Sequence, residues 1–275
     1  MIRILAAALV GLFATQAAAA EVELKGPFSQ GGLILGKAAP GSTVALDGKA
    51  LRLTGDGRFI FGFGRDAKPG ATLTVTAPDG KVEERRLEVA QRDYDIQRID
   101  GIQKDYVSPP EEVLARIRAD AAAAREARTL DRPETDFDSG FIWPATGRIS
   151  GVYGSQRILN GEPRQPHYGV DIAGPVGTPV KAPADAVVTL VHPDMYFSGG
   201  TLIMDHGHGL SSTFLHLEEI LVTEGQRVKQ GEVVALMGAT GRVTGPHLDW
   251  RMNWFEERID PTLLVPPMPK AEKTQ

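Results

Sequence analysis

The chemistry in this chain starts at His167-Tyr168-Gly169-Val170-Asp171. In an extended strand, side chains alternate faces, so positions 167, 169 and 171 point the same way. Gly169 carries no side chain, and nothing stands between the imidazole and the carboxylate. A histidine and an aspartate converging on one point suit a divalent zinc ion. Taken alone, an H-x-x-x-D of this kind more often marks a surface turn than a site. The rest of the chain alters that balance. All six histidines lie between His167 and His247, and none lies in residues 1–166.

The elements that must position these residues can be read around them. Thr201-Leu202-Ile203-Met204-Asp205 has the composition of a buried strand. His206-Gly207-His208-Gly209 makes the turn, and Ser212 to Leu217 returns, carrying His216 back into the sheet. Gly245-Pro246-His247-Leu248-Asp249-Trp250 enters a further strand. Period-2 geometry places His247 and Asp249 on one face, with Leu248 and Trp250 on the other, so Trp250 belongs to the core. Gly177-Thr178-Pro179-Val180-Lys181 is echoed by Gly225-Gln226-Arg227-Val228-Lys229. Each precedes an apolar strand, Val187 to Val191 and Val233 to Met237, as in a β sandwich that uses one hairpin unit twice.

From Phe141 to Leu264 the chain resembles the lysostaphin-type, LytM-like zinc endopeptidases, also called β-lytic metallopeptidases. The residues that carry the resemblance are His167-x-x-x-Asp171, Asp205-His206-Gly207, Phe214-Leu215-His216-Leu217 and Gly245-Pro246-His247-Leu248, in that order. The resemblance implies an antiparallel β peptidase domain of the duplicated hybrid-motif type. It implies Zn2+ as cofactor and peptidoglycan as substrate, with zinc polarising the scissile carbonyl and activating water. His167 and Asp171 become metal ligands, and His216 and His247 the catalytic pair. The third ligand position is Asp249, where the family has histidine. An aspartate can ligate zinc, but its shorter reach asks the strand or the ion to shift. Two carboxylates also offset the full charge of the ion and weaken its acidity. Two other arrangements stay open. Asp249 can stand behind His247, which then moves onto the ion. Or the domain is a metal-poor module that binds or regulates other cell-wall hydrolases.

The remaining chain sets the context. Residues 1–20 read as a signal peptide, with Arg3, an apolar run from Ile4 to Phe13, and small residues from Ala17 to Ala20. Its removal leaves 29 basic against 35 acidic residues, a mature charge of −6. That charge gives no reason to expect a nucleic acid partner. No transmembrane segment is expected in the mature chain, and export to the periplasm or cell envelope agrees with a wall substrate. There is no cysteine, which excludes thiolate catalysis and disulfides.

Residues 21–92 read as an immunoglobulin-like β sandwich. Asp47-Gly48, Asp56-Gly57 and Asp79-Gly80 serve as hairpin turns, and Leu51/Leu53 and Phe59/Phe61 as half-buried strand positions. It serves either to position or bind a partner or to add stability. Residues 93–138 read as a helical connector and linker. A helix over 109–129 is capped by Ser108, Pro109 and Glu111, with an apolar stripe of Val113, Leu114, Ile117 and Ala121. The peptidase domain spans 139–265 and a tail follows at 266–275. The fold class is thus mainly β. Arg157, Asn160 and Tyr168 flank the ligand strand as candidate groove residues, each equally able to be ordinary surface. His206 and His208 read as structural or exposed, and His192 as loop.

Overall fold

The protein is described by a computed structural model covering residues 22–100 and 111–269. The signal-peptide reading and the Ser108-Pro109 cap fall outside the described residues.

The first eight strands are β1 (Glu23–Lys25), β2 (Leu33–Lys37), β3 (Thr43–Leu46), β4 (Lys49–Ala50), β5 (Arg58–Gly62), β6 (Gly70–Thr76), β7 (Val82–Glu88) and β8 (Ile96–Ile99). Two antiparallel sheets, β1-β2-β5 and β4-β3-β6-β7, enclose Ile34, Phe59, Phe61 and Leu73, all 2% exposed or less. Asp47 and Gly48 both have positive φ, the geometry of a tight hairpin turn between β3 and β4. Two expectations change here. Leu51 and Leu53 lie in irregular chain, not a strand. β5 is buried at Phe59, Ile60, Phe61 and Gly62 alike, because one side meets the sandwich interior and the other meets the second half of the chain. Gly62 there packs against Trp254 and Ile259.

The connector is not wholly helical. β8 runs parallel to β10 (Gln156–Leu159), itself paired with β11 (Glu162–Pro163). After a 3₁₀ turn at Glu111–Val113, helix α1 occupies Leu114–Glu126. Val113, Leu114 and Ile117 are half-buried, and Ala121 is exposed. The helix is fixed instead by polar contacts: Arg116 donates to Asp194 at 2.7 Å, and Asp120 accepts from the Tyr196 amide at 2.7 Å. Among the described residues no helix is long and apolar enough to cross a membrane.

The remaining strands are β9 (Arg148–Gly151), β12 (Gly169–Ala173), β13 (Pro179–Lys181), β14 (Ala186–Met195), β15 (Gly199–Asp205), β16 (Leu210–Ile220), β17 (Arg227–Val228), β18 (Val233–Met237), β19 (His247–Trp254) and β20 (Glu257–Ile259). They form one antiparallel sheet ordered β17-β14-β15-β16-β19-β12-β9, with β18 branching from β16 and β20 from β19. The internal echo has a structural meaning. β13, from the first copy, pairs with β18, which follows the second; β17, from the second, pairs with β14, which follows the first. Each half-unit completes the other. His192 lies within β14, not in a loop.

The two halves meet through a shared apolar cluster and several polar ties. Arg92 donates to the buried Asp260 at 2.8 Å, and Arg65 to the Gly154 carbonyl at 2.9 Å. A buried carboxylate with a single cationic partner fixes relative position more than it adds stability.

Candidate metal centre and catalytic pair

The site is built where β9, β12, β19 and β16 lie side by side. Register places Asp171 of β12 opposite Asp249 of β19, which in turn lies opposite Leu215 of β16. Facing residues on neighbouring strands project their side chains to the same side. His167 precedes β12 and is held by two backbone bonds, Gly154 N–H to its carbonyl and its own N–H to Ser155. Its Nε2 lies 3.0 Å from Asp171 Oδ1 and 3.4 Å from Asp249 Oδ2. One ligand atom from each of the three lies within 4.8 Å of the others.

Two glycines make this convergence possible. A Cβ on Gly169 would stand 2.4 Å from Asp249 Oδ1, and one on Gly151 would stand 2.1 Å from Asp171 Oδ2. Each carboxylate therefore rests against a bare backbone on the adjacent strand. At Gly169 the space left by the missing side chain is taken by Asp249 and Arg251 of the adjacent strand.

His216 and His247 stand beside the triad. Their ring centroids are 4.8 Å apart, and His247 Nε2 is 3.8 Å from Asp171 Oδ1. His216 Nδ1 donates to the Thr240 carbonyl and His247 Nδ1 to the Gly245 carbonyl, each at 2.9 Å. A carbonyl can only accept, so each ring keeps Nε2 as its free nitrogen. His216 has φ of 65°. That left-handed backbone is uncommon outside glycine and is held here by surrounding structure, as at many functional sites.

A model of peptidase family M23 matches residues 165–261. The crystal structure of a peptidase M23 candidate from Pseudomonas aeruginosa is 30% identical, covers 86% of this chain and 94% of its own, and superposes with a TM-score of 0.67. The chain belongs to peptidase family M23. Peptidoglycan DD-endopeptidase ShyB of Vibrio cholerae serotype O1 is 45% identical over 152 residues, which are 54% of this chain and 35% of ShyB. Peptidoglycan DD-endopeptidase ShyA of the same organism is 37% identical over 123 residues, 44% of this chain and 24% of ShyA. The chain thus spans about a quarter to a third of the length of these two curated relatives.

Family M23 peptidases are zinc metallopeptidases, and the donor set here fits such an ion. His167 Nε2 and Asp171 Oδ1 are both buried and neither has a hydrogen-bond partner, although they face each other at 3.0 Å. Orphaned buried donors and acceptors of this kind are rare and ask for an occupant. His167 Nδ1 is 3.2 Å from the Val152 carbonyl, which orients Nε2 toward the two carboxylates. Burial opposes charge on His167, but Asp171 and Asp249 outweigh it and raise its pKa to about 10 in the absence of a metal. The pocket demands a positive charge, and a proton on His167 supplies one. Burial pushes the other way on His216, whose pKa is lowered despite its bond to Thr240. A neutral imidazole can accept a proton.

Asp249 is 2% exposed. Burial would raise its pKa, yet the charge of Arg251 and then the contact with His167 hold it well below the usual carboxylate range. Arg251 was not among the sequence candidates. Its signal was present: Asp249 and Arg251 are two apart on one strand and must share a face. Of the other candidates, Tyr168 lies under the Arg258 guanidinium, 5.2 Å from its ring centre. Arg157 sits in β10 and Asn160 at the β10–β11 turn, in a sheet separate from that of β12 and β19. His206 and His208 are structural and buried, not exposed, with ring contacts to Phe141 and Phe137.

Proposed function

We propose that the protein is an exported, zinc-dependent endopeptidase that hydrolyses peptide bonds in peptidoglycan stem peptides or cross-links. The observation that carries this reading is the convergence of His167, Asp171 and Asp249 with His216 and His247 beside them. His167, Asp171 and Asp249 would hold the metal. When bound, zinc supplies Lewis acidity, polarising a scissile carbonyl and acidifying water.

The chain's own residues do the rest. His216, kept neutral by burial, takes a proton at Nε2. That proton passes from His216 to the leaving amine, while His247, with Nδ1 anchored to Gly245, holds its Nε2 lone pair beside His216 to orient the attacking water. The peptidoglycan DD-endopeptidase relatives support a wall substrate, and a wall substrate agrees with the leader-like residues 1–20 and a periplasmic or envelope location.

The test is muropeptide release from purified sacculi by the mature chain, with and without chelator. Release that stops with chelator and returns with zinc supports the proposal. Release that ignores chelator contradicts the zinc role. A second reading is a metal-poor module that binds the wall or regulates other hydrolases, and one observation favours it: Arg251 already engages both oxygens of Asp249. It predicts purified protein without stoichiometric zinc and no release under any metal.

A further inference from the structure

Asp249 brings a second carboxylate to a site whose relatives by resemblance use one, and the chain answers that charge two residues later. Arg251 Nε donates to Asp249 Oδ1 at 3.0 Å and to Oδ2 at 3.1 Å, and Nη2 donates to Oδ2 at 2.5 Å. We propose that Arg251 is the built-in counter-cation of an aspartate-ligated zinc centre, fixing Asp249 in ligand position and returning the donor set to a net charge of −1. That is the charge of a set with two histidines and one aspartate. The inference rests on the metal reading given above.

Three observations carry it. First, the fork is aimed at this carboxylate alone. The neighbouring Arg258 donates to Asn253 Oδ1 at 3.2 Å, and Arg128 donates to Thr213 Oγ1 at 3.3 Å. Second, the path for the fork is built in. Arg251 faces Gly169 across the ladder, and a Cβ there would stand 2.7 Å from Arg251 Cγ. The side chain can fold back along its own strand only because β12 offers no side chain at that point. Third, guanidinium chemistry suits a shared ligand. A planar fork holds both oxygens from one side, while a carboxylate has about four lone-pair directions, so Oδ2 can face His167 as well.

The two effects of this pair on a variant have opposite signs. Without Arg251, Asp249 in the metal-free protein keeps only His167, 3.4 Å away, as a cationic partner, and the protein loses stability. The same carboxylate, its oxygens no longer shared with a guanidinium, attracts zinc more strongly. A residue with only a scaffolding role would lower stability and zinc affinity together.

The experiment uses the full mature chain as wild type, Arg251→Met, Arg251→Lys, Asp249→His and the double variant Asp249→His/Arg251→Met. Zinc Kd is read by competition with a chromophoric chelator, and melting temperature is read on metal-free protein. Arg251→Met should melt about 5 °C lower without metal and bind zinc about tenfold more tightly. Arg251→Lys should bring both values back toward wild type. In the Asp249→His background, Arg251→Met should change the zinc Kd by no more than about threefold. Should Arg251→Met fail to fold without metal, the double variant decides: it should fold, since no bare carboxylate remains. Unchanged or weaker zinc binding by a folded Arg251→Met, an equal effect in both backgrounds, or an unfolded double variant would overturn the proposal while leaving the metal site intact. Wild-type protein that binds no zinc would remove the metal reading and this inference together.

Discussion

Adding one methyl group to Gly169 should damage the metal site without replacing any ligand. The Cβ of Gly169→Ala would stand 2.4 Å from Asp249 Oδ1, 2.6 Å from the Trp250 carbonyl and 2.7 Å from Arg251 Cγ. Real Cβ contacts stay beyond 3.0 Å, so the Asp249 oxygen must withdraw by about 0.6 Å or the strands must part. β12 and β19 are paired over five residues through this point, with Ile172 and Trp250 fully buried behind them. The Trp250 carbonyl at 2.6 Å is backbone and yields only if the strands part locally, which carries Asp249 with it. Zinc ligands tolerate displacements of only about 0.2 Å, so a shift of 0.6 Å exceeds what the ion accepts. Zinc affinity should fall by tenfold or more, about 1.4 kcal/mol. Overpacking should add a stability loss of about 1–3 kcal/mol. Chelator competition gives the first quantity and urea unfolding of metal-free protein the second. Gly55→Ala, whose new Cβ meets nothing within 4 Å, is the neutral control. A Gly169→Ala protein that binds zinc as tightly as wild type would refute the placement of Asp249 against β12.

Three further predictions follow from particular contacts. His216→Ala and His247→Ala should each lower muropeptide release by about a hundredfold or more, while zinc content stays stoichiometric; loss of zinc would reassign the residue as a ligand. His206 is fully buried, with Nδ1 on the Asp185 carbonyl and Nε2 on Ser212, and desolvation lowers its pKa to about 4. Unfolded, it takes a proton below about pH 6.5 that the folded protein refuses. It therefore costs no stability above pH 6.5 and about 3 kcal/mol by pH 4. Urea unfolding across pH 4–7 should show a shallower pH slope in His206→Gln than in wild type, and equal slopes would contradict this. Arg132 donates to Asp205, 3% exposed, and at 3.0 Å to Asp136, which Arg227 also engages, so Arg132→Leu leaves Asp205 as a buried carboxylate without a cation and should cost about 3 kcal/mol by urea unfolding.

Much of this site is legible in the sequence because its geometry is that of strands. Alternation alone puts His247 with Asp249 and Leu248 with Trp250, and the structure keeps that division. His167 lies just before β12, so alternation alone does not place it with Asp171, which it meets from irregular chain. What the sequence does not reveal is long-range register. Nothing local says that Gly151 lies under Asp171, or that Thr240 offers its carbonyl to His216. Arg251 is hidden from the sequence for another reason. A charged residue in a strand reads as solvent-facing, whereas here Gly169 on the adjacent strand lets it turn inward. Leu51 and Leu53 failed as strand positions because alternation over so short a run fits irregular chain equally well.

The most direct measurement is anomalous diffraction at the zinc edge from crystals of the mature protein grown with zinc. A single peak about 2.0–2.2 Å from His167 Nε2 and from one oxygen each of Asp171 and Asp249 is the predicted result. A peak bound by His247 with Asp249 set back, or no peak at these residues, would contradict it.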